Sequence, residues 1–217
     1  MQNPWTDYVA QQLVLAVLDA ETSTAACELL IEQGADSQLA LIHALECDIA
    51  AARIEELVAL GADVNRGPPF PLHVALYKRC GIDVISVLLD AGANIHQRDH
   101  SNMLPLHIAA LSHDAPVCQL LIAHGADVNR GAIDDTTPAM YFALQYPGYI
   151  PTIKALLESG ARLSQPLRDI PWKDLEHGIK SARASTIVPS VSSKLLLTLA
   201  NERHDAELCR VLLDYDA

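Results

Sequence analysis

His96, His100 and His107 are close enough in the chain to raise the question of a metal. Imidazole nitrogens bind zinc, but a zinc site needs three or four convergent nitrogen or sulfur ligands, and no cysteine adjoins this group. Asp134 and Asp135 are the next suspects. A general acid and its partner base must face each other across a substrate, whereas two adjacent carboxylates suit a turn. Ser185 and Thr186 have hydroxyls but no base at a recognisable spacing. There is no G-x-S-x-G elbow, no phosphate-binding P-loop and no G-x-G-x-x-G after a strand. The expectation is a non-enzyme with no catalytic residue, no metal and no cofactor.

The rest of the composition narrows the class. Half of the 217 residues are apolar and 19% are charged, so the chain can bury a core. Aromatics make up only 5%, and alanine and leucine dominate, which favours closely packed helices. No apolar run reaches the roughly 20 residues of a membrane helix, and MQNPWTDYVAQQ does not read as a secretory signal. Five cysteines, without a C-x-x-C pair, read as free thiols in a reducing compartment, most simply the cytoplasm. The net charge is −12 and uneven: eleven of the 27 acids, but one of the 15 bases (Arg53), fall in residues 1–65. Such a front repels a nucleic-acid duplex or an anionic bilayer and attracts a basic protein; the plainer alternative is a solvated face.

What positions these residues is a phrase that returns. GADVN stands at 61–65 and 125–129, GANIH at 92–96 and GARLS at 160–164. Upstream of each runs a second element: PLHVAL from Pro71, PLHIAA from Pro105, TPAMYFA from Thr137 and a worn ALIHAL from Ala40. His43 to Gly61 and His107 to Gly125 are both 18 residues, and His73 to Gly92 is 19. Met140 takes the histidine's place 20 residues before Gly160, the surplus coming from the turn-rich QYPGYIP. Two motifs in phase over about thirty residues mark a stacked unit, not a catalytic loop.

The residue types fit the phrase. Proline at 71, 105 and 138 suits the first turn of a helix, and Thr137 can cap one. Val84, Val87, Leu88 and Leu89, then Val117, Leu120, Leu121 and Ile122, then Ile153, Ala155, Leu156 and Leu157 recur at helical spacing. Gly61, Gly92, Gly125 and Gly160 are expected at left-handed helix exits. Val64, Ile95, Val128 and Leu163 then return to the core, and Asn65 and Asn129 suit the turn.

In this, the chain resembles the ankyrin-repeat proteins, whose mark is T-P-L-H-x-A, two helices and G-A-D-V-N. The resemblance is best between about residues 40 and 165, with weaker copies in CELLIEQGADS (27–37) and VLLDYDA (211–217). It implies an all-α solenoid of stacked helix-turn-helix units with finger loops. About six repeats are expected in one domain spanning 1–217, at 5–37, 38–69, 70–102, 103–135, 136–165 and 190–217, with an irregular helical insertion at 166–189. Within that insertion Trp172 is read as a plug against the repeats. His73 and His107 would join helix starts to the neighbouring repeat through both ring nitrogens, and Ala75, Ala109, Ala110 and Ala143 would allow close helix approach.

The family holds protein partners with its fingers and the exposed side of its first helices. Carried over by register, the finger candidates are Arg66, Phe70, Gln97, Arg98, His100, Asn102, Met103, Arg130, Ile133, Asp134 and Asp135. Tyr77, Lys78, Leu111, Ser112, His113, Tyr141 and Gln145 join them from the first helices. The resemblance implies a monomeric cytoplasmic adaptor that binds a protein, with no nucleic acid or membrane. An acidic inhibitor or immunity-type protein covering a basic enzyme or toxin is the alternative. A third reading, a piece of a larger array, follows from the absence of a polar cap around Leu212, Leu213 and Tyr215.

Overall fold

The computed structural model describes residues 12–16, 19, 24–47, 49–112, 114–132, 139–143, 150–161, 166–167, 189–190, 207 and 211. They belong to two compact units, Met1–His100 and Ser101–Ala217.

In the first unit, residues 12–16 are helical, and five helices follow: α1 (Thr24–Glu32), α2 (Ser37–Glu46), α3 (Ala51–Ala59), α4 (Pro71–Lys78) and α5 (Ile82–Asp90). Helix α2 packs against α3, and α4 against α5; α2 also lies on α4, and α3 on α5. Two helix pairs are thus stacked like on like. The contact is close because its residues are small: Ala40 and Ala44 on α2 and Ala75 on α4 are all buried. Cys80, just past α4, donates its thiol to the Leu45 carbonyl at 3.3 Å, a further tie between the two first helices.

The second helices supply bulk. Ile54 and Leu57 on α3 and Ile85 and Leu88 on α5 are fully buried, at the i, i+3 spacing of one helix face. Burial of each contributes about 2 kcal/mol. Truncation of Leu88 to alanine would add a cavity to that loss, about 2–5 kcal/mol in all.

The second unit repeats the plan with α6 (Pro105–Leu111), α7 (Ala115–Ala123), α8 (Ala139–Ala143) and α9 (Ile150–Glu158). Helix α6 packs on α7 and α8, and α9 on α7 and α8. Ala109, Ala110 and Ala143 are buried as expected, and Met140 fills its site with 4% exposure. Pro71 and Pro105 open their helices, where a missing N–H costs nothing. Among the described residues the only strands are β1 (Pro166–Leu167) and β2 (Pro189–Ser190), paired antiparallel with Pro166 opposite Ser190. They bracket the expected insertion; its interior, Trp172 included, lies outside the described residues. So do Thr137, Pro138, Leu163 and all of the 190–217 copy except Ser190, Glu207 and Val211. Of these, Val211 is buried and Glu207 stands 3.7 Å from Lys154 of α9.

Candidate functional site

The recurring phrase is the scaffold on which the loops sit. Each glycine has the positive φ that residues with a β-carbon avoid: 96° at Gly34, 96° at Gly61, 84° at Gly92, 99° at Gly125 and 86° at Gly160. Around each, the same two bonds close the helix. Gly92 N–H donates to Leu89 O and Ala93 N–H to Leu88 O, both at 2.9 Å, and the other four exits repeat the pattern. The next polar residue then makes a tight turn. Asp63 Oδ1 accepts from Asn65 N–H (2.8 Å), Asn94 from His96 (2.9 Å) and Asp127 from Asn129 (2.9 Å).

Asparagine at the end of the phrase does more than suit the turn. Asn65 Nδ2 donates to Gly92 O at 2.9 Å while its Oδ1 accepts from Asn94 N–H at 2.7 Å. One side-chain amide therefore ties the foot of one loop to the foot of the next. Asn129 Nδ2 makes the corresponding bond to Gly160 O at 3.1 Å.

The residue after each asparagine is an arginine whose carbonyl is held from below. His107, 1% exposed, accepts the Leu104 N–H at Nδ1 (3.1 Å), which leaves its proton on Nε2 for the Arg130 carbonyl at 3.0 Å. Both ring nitrogens are spent, as the repeat reading expects, and neither is left for a metal. The Phe142 ring meets this imidazole edge-on at 5.4 Å. In the first unit the task falls to Gln38, whose Nε2 donates to Arg66 O (3.2 Å) and whose Oε1 accepts from Asp63 N–H (3.1 Å). His43, read as the motif histidine of that copy, is a correction. Helix α2 starts at Ser37, capped by Asp36, so His43 falls in its last turn, half-exposed and 3.4 Å from Glu46. His73 is buried, its ring tilted against Phe70 at 5.7 Å.

The proposed contact residues divide by exposure. Arg66, Lys78, His100, Asn102 and Arg130 are exposed. Tyr77 is too, at 47%. Phe70, Gln97, Arg98, Leu111 and Ser112 are half-buried. Met103 is corrected: it is 4% exposed, buried with Leu104 where the loop turns down into α6, and cannot offer its side chain to a partner. His113, Ile133, Asp134, Asp135 and Gln145, and the side chain of Tyr141, lie outside the described residues.

One bond joins loop to helix. The Tyr77 hydroxyl, on the exposed side of α4, donates to Asp99 Oδ2 in the following loop. Partial burial and, after it, the bond and charge of Asp99 push the phenol well above its usual range. Among the described residues no group of three His, Cys, Asp or Glu is gathered as a metal site. No helix of those residues is long and apolar enough to cross a membrane.

Comparison with known proteins agrees with this architecture. The family model for ankyrin repeats, three copies, matches residues 72–166. Ankyrin repeat and SOCS box protein 6 of Mus musculus is 37% identical over 78 residues, which is 35% of this chain and 18% of that protein. Its Homo sapiens counterpart is 39% identical over 77 residues, 35% of this chain and 18% of that protein. The RelA-associated inhibitor of Mus musculus is 34% identical over 71 residues, 32% of this chain and 8% of that protein. The matches thus cover less than a fifth of each relative's length. Two motifs in phase, stacked helix pairs and left-handed glycine exits accompany the family match, and residues 72–166 of this chain are ankyrin repeats.

Proposed function

We propose that this chain is a non-enzymatic adaptor that holds a protein partner on its loops and the exposed side of its first helices. Ankyrin repeats generally mediate protein–protein interaction. The observation that carries the reading here is the Tyr77–Asp99 bond, which joins the loop segment 96–100 to the exposed side of α4 within the first unit. Tyr77 and Arg66, both exposed, are residue types that anchor such contacts. The cytoplasm suits its free thiols, three of the four described being buried.

A second reading is an acidic inhibitor that covers a basic target. It draws on the exposed carboxylates of the second helices, Glu28, Glu32, Glu55, Asp83 and Asp90. It also draws on similarity to a protein named as an inhibitor. The adaptor reading is preferred because those carboxylates lie on the second helices and not in the loops.

The test is affinity for a captured partner in Arg66→Ala and Lys78→Ala variants. Both side chains are exposed, so stability should stay within about 0.5 kcal/mol of the parent. Capture should weaken in each. Unchanged affinity in both variants would move the contact elsewhere.

A further inference from the structure

One place on the first helices is filled differently in each of three copies. Ile49 N–H donates to Ala44 O, Cys80 N–H to Ala75 O and Asp114 N–H to Ala109 O, so these buried alanines hold one position in α2, α4 and α6. Two residues further on stand Glu46, Tyr77 and Leu111. Glu46 lies 3.4 Å from His43 of its own helix, and the Leu111 side chain has no polar group. Of the three, only Tyr77 carries a hydroxyl, and it donates to Asp99 in the loop that follows α5. The stack does not depend on that bond, since α2 lies on α4 through Ala40, Ala44 and Ala75. The bond is thus a property of this copy and not a requirement of the repeat.

What the bond adds is order in one place. The root of the loop is fixed at Asn94. Its N–H donates to Asn65 Oδ1 (2.7 Å), its Oδ1 accepts from His96 N–H (2.9 Å) and its carbonyl accepts from Gln97 N–H (3.2 Å). Two residues beyond Gln97, Tyr77 takes hold of Asp99. The segment is pinned at both ends, with Gln97, Arg98 and Asp99 half-buried and His96 and His100 exposed. Ordering a loop opposes binding through lost backbone entropy, and a loop ordered beforehand spares the partner that loss.

We infer that Tyr77 is a positioning residue of the loop face: through Asp99, its hydroxyl holds the 96–100 segment on α4 in the conformation that a protein partner meets. This rests on the loop-face reading above and adds to it how the face is kept ready. Tyr77 is itself exposed, so loss of the hydroxyl alone leaves the surface in place and adds only the ordering of the loop to the work of binding.

Backbone amide spin relaxation of the intact chain, with no partner added, tests the inference. In the parent, the amides of Arg98, Asp99 and His100 should be as ordered as α4, with order parameters of about 0.85. In Tyr77→Phe, which keeps the ring and loses the donor, they should fall below about 0.6. The amides of α4 should be unchanged, and the urea midpoint should move little. Asp99→Asn keeps an acceptor oxygen and should stay close to the parent, whereas Asp99→Ala should match Tyr77→Phe. Order at 98–100 that is indifferent to Tyr77→Phe, or already low in the parent, would overturn the positioning role. A loss spread equally over α4 and the loop would make the bond one of general stability and overturn the role as well. Each of these outcomes leaves the loop-face reading untouched, because that reading is decided by where a partner makes contact.

Discussion

The side chain of Gln38 spans two backbone groups in the loop that follows α3, accepting from Asp63 N–H and donating to the carbonyl of Arg66. His107 does the same work for the carbonyl of Arg130 with a different functional group. In each unit a buried polar residue near the start of a first helix holds the loop that follows the second. Replacement by alanine leaves those loop groups without their partner. Gln38→Ala and His107→Ala should each cost about 1–3 kcal/mol, read as a lowered urea midpoint with unchanged slope. A parent-like midpoint would mean that water replaces the bond without loss.

Backbone handedness makes two predictions of opposite sign. A β-carbon at Gly92 would meet no atom within 4 Å, so Gly92→Ala isolates the cost of φ +84°, about 1 kcal/mol. Arg79 closes α4 with φ 59° in the same bonding pattern, Cys80 N–H to Ala75 O, but without a glycine. Arg79→Gly should therefore stabilise by up to about 1 kcal/mol. Thermal unfolding of the pair checks both signs.

Tyr77 should titrate late. Burial is the larger cause of its raised pKa and Asp99 the smaller. Absorbance titration of the phenolates in the folded chain should show a delayed component that Tyr77→Phe removes. Asp99→Asn should bring it down without restoring the ordinary value. The folded state favours the protonated phenol, so this contribution to stability is complete below the unfolded pKa of about 10 and is lost as pH rises above it. A titration identical in parent and Tyr77→Phe would remove the bond from the account.

The thiols should separate by reactivity. Burial, with a smaller effect of Asp114, pushes Cys118 up to about 12, leaving almost no thiolate at neutral pH. Burial also raises Cys27, while Cys47 is exposed. Mass spectrometry after brief alkylation of the folded chain should find Cys47 modified well before Cys118. Equal labelling would place Cys118 in solvent.

Elements set by one residue's own stereochemistry were legible in the sequence. Gly61, Gly92, Gly125 and Gly160 have positive φ because glycine alone tolerates it cheaply, and Pro71 and Pro105 begin helices because their rings impose it. Pairings between repeats were less legible. Asn65 carries no mark of which carbonyl it reaches, since stacking of the neighbouring copy brings the Gly92 carbonyl within range. Register failed where the repeat was worn: the earlier start of α2 carries His43 out of the motif position. Met103 was misjudged because loop residues have no period that separates inside from outside.

A protein partner held on the loops and first helices, as proposed, would leave the second helices uncovered. Photo-crosslinking from single sites tests it most directly, with the photoreactive residue replacing Tyr77 on α4 in one variant and Glu55 on α3 in another. A partner so held should give a discrete protein adduct from position 77 and none from position 55. Adducts from 55 alone, or equally from both, would contradict it.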